Sequence, residues 1–292
     1  MSSEKVYVIG ATGNIGTKVV RDLLAKGVET TIYVRSAEKS KSLFGESKLL
    51  NVVEGDYADM TKFKASIPGH TRLFLVIADL DNMPALKEEI AADAYEGGVK
   101  QIVDLSSRFA QFPWKTSIIG EAHHLAEERI YALALKHKRN VVTLRPSRFH
   151  ANHLWVDNPT IKAESTIYDS NEDHMKLEWI STDDIADVAT LILTDPTEVH
   201  GNRAYPLIGD SVDGPTRASY FSKALGRTIT YKYVDPRDKY QTLLKSHIPP
   251  QIALDLATVQ TFDPPTLIVP ILLGRPYETL ESWINKNIAG FQ

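Results

Sequence analysis

Val6-Tyr7-Val8-Ile9-Gly10-Ala11-Thr12-Gly13-Asn14-Ile15-Gly16 is the stretch that decides the fold. Its first four residues are an unbroken apolar run, as a strand buried on both faces requires. Three glycines follow, and Ile15–Lys26 then carries apolar residues at helical spacing. Strand, glycine turn and helix in that order form a phosphate-binding turn. Gly10 permits the tight turn, Gly13 lets the backbone approach a pyrophosphate, and Gly16 lets the helix pack closely on the strand. The unpaired N–H groups and the positive dipole end of the helix then meet the anion. Thr12, Asn14 and Ile15 complete the loop, with Asn14 as the expected helix cap. The competing reading is a glycine-rich turn with no ligand.

Outward from this motif, strand and helix patterns alternate. β-rich runs stand at Val6–Ile9, Thr30–Val34, Leu50–Val53, Leu73–Ile77, Gln101–Leu105 and Val141–Leu144. Helical patterns lie between them at Ile15–Lys26, Ala37–Leu43, Met60–Ile67, Met83–Gly97 and Ala122–His137. Such alternation predicts an α/β, Rossmann-type doubly wound parallel sheet with helices on both faces. After Pro146 it weakens. Helices are expected at Asp183–Leu193 (capped by Thr182), Thr216–Leu225, Tyr240–His247, Gln251–Val259 and Leu280–Asn287, and strands at Gly201–Gly209 and Thr228–Val234. The expected division is a dinucleotide-binding domain over 1–155, also receiving 178–200, and a smaller α+β substrate-binding lid over 156–292.

The bulk properties narrow the function. The chain has 292 residues, a net charge of −4 and no cysteine. Disulfides, thiolate metal sites and a cysteine nucleophile are excluded, and no metal site is expected. A basic surplus that would suit nucleic acid is absent. The apolar stretch Leu267–Leu273 contains Pro270 and is far shorter than the ~20 residues of a membrane span. Met1–Lys5 is polar and runs straight into the first strand, so no signal-peptide core is expected. The expected location is cytoplasmic and the expected partner a small molecule.

Cofactor choice is set at the end of the second strand, ~20 residues past the glycines. An NAD site places an acidic residue there; this chain has Arg35-Ser36. A guanidinium donates only, so it suits the 2′-phosphate of NADP and can stack on adenine. Lys39 and Lys41 add charge, and Glu38 is the discordant neighbour. Asp56, in Gly55-Asp56-Tyr57, is either a contact to the adenine amino group or a plain turn residue. Ala78 follows the fourth strand. Ser106 ends the fifth, where open α/β sheets bind their ligands; it is a candidate contact to the nicotinamide ribose or a substrate carbonyl. Ala78 and Ser106 complete the expected cofactor site.

The glycine spacing, the Glu54-Gly55-Asp56 turn, Gly98-Val99-Lys100-Gln101-Ile102-Val103-Asp104-Leu105-Ser106-Ser107, and Leu144-Arg145-Pro146 with Phe149 together resemble the NmrA-like family of atypical short-chain dehydrogenases/reductases. Leu273-Gly274-Arg275-Pro276-Tyr277-Glu278-Thr279 resembles the ending of its quinone-reductase-like members. The resemblance implies NADP(H) binding and a substrate cleft between the sheet and a C-terminal lid. It also implies one of two functions. One is NADPH-dependent hydride transfer to a small carbonyl, quinone or enone. The other is a redox-sensing regulator that binds the dinucleotide, does little chemistry and engages a partner protein.

Ordinary short-chain dehydrogenases use a Tyr-x-x-x-Lys pair to move a proton. None of the twelve tyrosines has a lysine four residues on. In the atypical reductases a lysine often opens the helix after the fifth strand, and His123 falls nearest that position. It is the candidate proton donor, with Glu127 one turn on to hold the imidazole. The alternative is ordinary pairing on a partly exposed helix. Phe109, Phe112 and Trp114 either line a pocket for a flat substrate or pack the fold. Arg148-Phe149-His150-Ala151-Asn152 stands where the family often carries a Phe–Phe–x–x–Asn segment beside the nicotinamide, with His150 in place of the second aromatic.

Overall fold

The computed structural model describes residues 4–258 and 263–292. Its first part runs β1 (Lys5–Ile9), α1 (Asn14–Ala25), β2 (Glu29–Val34), α2 (Ala37–Phe44), β3 (Leu50–Glu54), α3 (Thr61–Ser66), β4 (Arg72–Leu75), α4 (Met83–Glu96), β5 (Gln101–Leu105), α5 (Ile118–His137) and β6 (Asn140–Pro146). There follow β7 (Arg148–Phe149), α6 (Asn158–Glu164), β8 (Thr166–Asp169), β9 (Lys176–Ile180), α7 (Thr182–Thr194), α8 (Thr197–His200), β10 (Arg203–Leu207) and β11 (Asp210–Asp213). The chain ends with α9 (Gly214–Leu225), β12 (Thr230–Tyr233), α10 (Pro236–Lys245), α11 (Pro250–Thr258), α12 (Ile268–Leu273) and α13 (Leu280–Asn287). Val259, the last residue of one expected helix, lies outside the described residues.

The chain forms two compact units. The first comprises residues 1–112, 120–145 and 185–205, and the second residues 113–119, 146–184 and 206–292. In this division the chain passes to the second unit at Pro146 and returns to the first at Ile185.

In the first unit seven strands stand in the order β10-β6-β5-β4-β1-β2-β3. Every pair from β3 to β6 is parallel. Chain order therefore reverses between β1 and β4, the switch point at which open α/β sheets bind ligands outside the carboxyl ends of their strands. The apolar run of β1 is the reason for its central place: Val6, Tyr7, Val8 and Ile9 are fully buried. On one face of the sheet Tyr7 and Ile9 pack with Phe63, Leu73, Ile90, Ala94 and Ile130. Arg72, at the start of β4, is buried and donates to the carbonyl of Asp195, just beyond α7. This sets a cation at the negative end of the helix dipole.

The second unit holds two small sheets, β11-β9-β7 and β12-β8. β8, β9 and β11 carry little sequence signal because each is short and holds polar residues. In β9, Glu178 is fully buried, and its carboxylate accepts from the Asp263 amide. The core joins Trp179, Phe221, Trp283, Ile284 and Phe291. Ser181, not Thr182, caps the start of α7 by accepting from the Asp183 amide.

His150 belongs to this interior. It is fully buried, its Nε2 donates to the Glu278 carbonyl, and its ring lies 6.1 Å from that of Trp283. Burial pushes its pKa down to about 4. The unfolded value lies near 6.5, so the stability that the neutral ring contributes is whole above that pH. It is lost as pH falls from 6.5 toward 4. Lowering pH from 7 to 5 is expected to cost about 2 kcal/mol through this residue alone. Thermal melts at the two pH values check this, with His150→Phe showing the shallower dependence.

Candidate functional site

The glycine turn stands at the carboxyl end of β1. Gly10 has φ +82°, and a Cβ on it would lie 2.7 Å from the Val76 Cβ. A Cβ on Gly16 would lie 2.2 Å from the Gly10 carbonyl oxygen, so the first turn of α1 sits directly on the loop. Gly13 is exposed; a Cβ there would meet only the Gly10 oxygen, at 3.5 Å. The three glycines thus divide the work: two pack the turn and one clears the space above it. Gly13, not Asn14, is the N-cap of α1, and no side chain caps the helix. Its first amides are left for a ligand, and this open cradle fits a pyrophosphate. Thr12 is half-buried, Asn14 exposed, and Ile15 anchors the helix in the core.

The end of β2 is built differently. Ser36 caps α2 by accepting from the Lys39 amide, and the Glu54 carboxylate accepts from the Ala37 amide. With that helix end occupied, an anion here must be met by side chains. Arg35 is exposed beyond β2, and its charge pulls the Tyr57 phenol down against the upward push of burial. Tyr33 stacks on Tyr57 at 6.4 Å, and its hydroxyl donates to the carbonyls of Asp56 and Asp59. A carboxylate oxygen of Asp56 accepts from the Ala58 amide, the bond of a turn residue. Ala78 is exposed after β4.

At the carboxyl end of β5 lies a buried polar cluster. The Lys87 ammonium stands 2.6 Å from Asp104 and donates to the Leu105 carbonyl at 2.9 Å, with both side chains fully buried. Burial pushes the Asp104 carboxyl up, against the pull of Lys87. Ser106, next along, is buried, and its hydroxyl donates to Glu127 at 2.5 Å. Arg145 grips both oxygens of Glu127.

This arrangement corrects the expectation for His123. Glu127 is spent on Ser106 and Arg145, so it does not hold the imidazole. Burial, with the Lys87 charge second, pushes His123 down to about 3, and its Nδ1 is buried with no hydrogen-bond partner among the described residues. At neutral pH the ring is neutral and holds no acidic proton to deliver. The sequence offers Lys87 no role, and Arg145 only a place in the Leu144-Arg145-Pro146 motif. An unpaired lysine in a helix pattern looks like a solvated one until β5 supplies its carboxylate.

Other expected features resolve locally. Ser107 caps a short 3-10 turn over Arg108–Gln111, and Phe109 stacks on Phe112 at 5.0 Å. Trp114 is exposed, with the Lys115 ammonium over its ring. Among the described residues no group of acidic or histidine side chains is arranged to hold a metal ion. No helix among them is long and apolar enough to cross a membrane.

Comparison with known proteins agrees with the fold. The NAD(P)H azoreductase of Xenophilus azovorans is 25% identical over 293 residues, covering 98% of this chain and 99% of the relative. The Citrobacter triphenylmethane reductase complexed with NADP(H) superposes with a TM-score of 0.80 at 19% identity, over 97% of this chain and 99% of that one. The NADPH-dependent quinone oxidoreductase of Escherichia coli in complex with NADPH gives a TM-score of 0.80 at 20% identity, with the same coverage. The NmrA-like family model matches residues 2–271, and the chain belongs to that family.

Proposed function

We propose that the protein is an NADPH-dependent oxidoreductase that passes hydride to a small, flat, electron-poor acceptor, a quinone before a simple ketone. The observation that carries this reading is the open N-terminus of α1 above Gly13, with Gly16 packed onto the Gly10 carbonyl. The reductases named above, acting with NAD(P)H or NADPH, support it.

When bound, NADPH supplies the hydride. The α1 amides hold the pyrophosphate, and Arg35, with Lys39 beside it, meets the 2′-phosphate. Ala78 and Ser106 border the nicotinamide half, at the ends of β4 and β5. No side chain at the end of β5 is poised as an acid: the His123 ring is neutral, the Ser106 proton is given to Glu127, and Lys87 is locked in an ion pair. The reduced acceptor must therefore carry its charge until solvent protonates it. A phenolate, whose conjugate acid has a pKa near 10, bears that charge far better than an alkoxide, which is about as basic as hydroxide (water, 15.7).

The test is NADPH oxidation against a panel of quinones, enones and simple ketones, with NADH in parallel. Turnover is expected with quinones and NADPH. Arg35→Asp should weaken NADPH at least tenfold and leave NADH within about threefold, since it exchanges an attractive charge for a repulsive one. Saturable NADPH binding with no turnover on any acceptor would replace the reductase with a dinucleotide sensor. Faster turnover with NADH would overturn the role of Arg35.

A further inference from the structure

Ser106, Glu127 and Arg145 form a chain with a fixed direction. A serine hydroxyl has one proton to donate and two lone pairs to accept with. The Ser106 proton goes to Glu127 Oε1 at 2.5 Å. The reverse direction would need a protonated Glu127. Arg145 opposes this, its Nε donating to the same oxygen at 2.9 Å and its Nη2 to the other. Such fork-to-fork pairing holds a carboxylate in its acceptor-only form. The pair is itself well placed: Glu127 is buried on α5, and Arg145 lies on β6, beside β5. The Ser106 amide donates to the Leu144 carbonyl at 2.8 Å, which fixes the backbone from which the hydroxyl projects. Among the described residues no N–H or O–H donates to Ser106 Oγ, so its lone pairs are uncommitted.

We infer that Glu127 and Arg145 are positioning residues that make Ser106 an obligate hydrogen-bond acceptor, and that Ser106 recognises an N–H or O–H donor on the nicotinamide half of the dinucleotide. The inference rests on the proposed function for the identity of the ligand. Ser106 is assigned to that half by strand order. The glycine turn ends β1, and β4 and β5 lie beyond the switch point on the side away from β2 and Arg35. Two groups there can donate, the carboxamide N–H and the ribose hydroxyls. A serine whose proton is already given away accepts from either and polarises no substrate carbonyl.

The experiment is a fluorescence titration of the purified protein with NADPH and with its 3-acetylpyridine analogue, in which a methyl ketone without N–H replaces the carboxamide. Ser106→Ala should weaken NADPH about tenfold, the value of one hydrogen bond, and Ser106→Thr should restore affinity to within twofold. Glu127→Gln should match Ser106→Ala, because an amide in place of the carboxylate sets an N–H against Arg145 whichever way it turns, which breaks the pair that fixes the Ser106 proton. The double variant Ser106→Ala/Glu127→Gln should lose no more than either single one, a coupling that a merely structural glutamate would not give. Thermal melts run alongside; if Glu127→Gln does not fold, Ser106→Ala and Ser106→Thr still decide.

A loss confined to NADPH assigns the donor to the carboxamide, and an equal loss with the analogue assigns it to the ribose. Either result supports the inference. Unchanged affinity of Ser106→Ala for both dinucleotides overturns it. Wild-type affinity in a folded Glu127→Gln overturns the positioning role. Failure of the wild-type protein to bind NADPH at all overturns the functional reading, and this inference with it.

Discussion

Lys87→Met is expected to destabilise the protein by about 3–5 kcal/mol and to lower its melting temperature by roughly 10 °C. The ion pair with Asp104 has no exposed surface, and its 2.6 Å separation leaves no room for solvent between the charges. Removing the ammonium strands a carboxylate in the core and frees the Leu105 carbonyl, which Lys87 also binds. An uncompensated buried charge is among the few single changes with so large a cost. Replacing both partners by apolar residues, as in Lys87→Met/Asp104→Leu, should recover most of the loss, since a buried pair gains little over good packing. Denaturant or thermal melts of the three proteins make the comparison. A single variant within 1 kcal/mol of the wild type would contradict this account of the end of β5. Lys87 also fixes the residue before Ser106, and its charge helps to keep His123 neutral.

Gly13→Ala is expected to fold as the wild type does and to lose about 100-fold in NADPH affinity, or about 2.7 kcal/mol. The backbone at Gly13 has φ −85°, which any residue adopts, and the added methyl meets only the Gly10 oxygen at an ordinary 3.5 Å. Nothing in the protein objects to it; the pyrophosphate would. Gly16→Ala is the contrasting variant. Its methyl would lie 2.2 Å from a backbone oxygen, so stability and binding should fall together. Melting temperatures and NADPH titrations of both variants separate clearance for a ligand from packing of the turn. A Gly13→Ala protein that binds NADPH at wild-type strength would remove the pyrophosphate from this loop.

Much of the first unit was legible because its signals are local. The run Val6–Ile9 is uninterrupted because both faces of β1 are buried, and Gly10, Gly13 and Gly16 announce the turn that follows. The second unit was harder to read. Its strands are four or five residues long at most, and β9 carries the buried charge of Glu178, which breaks the apolar pattern. The polar cluster was hidden for another reason. Lys87, Asp104, Glu127 and Arg145 lie on α4, β5, α5 and β6, with Ser106 just beyond β5, and only the pairing of β5 with β6 and the packing of both helices on the sheet bring them together. Sequence spacing offered Glu127 to His123 at i+4, yet the better partners came from the sheet. The helix cap failed similarly. Asn14 has the right chemistry for a cap, but Gly13 takes that position and leaves the amides bare.

The central claim is that the turn from Gly10 to Gly16, with Arg35 beyond β2, is a site for NADPH. Calorimetric titration of the wild-type protein with NADPH and with NADH tests it most directly. Saturable binding of one equivalent, at least tenfold tighter for NADPH, is the predicted result. No saturable binding of either dinucleotide, or tighter binding of NADH, would contradict it.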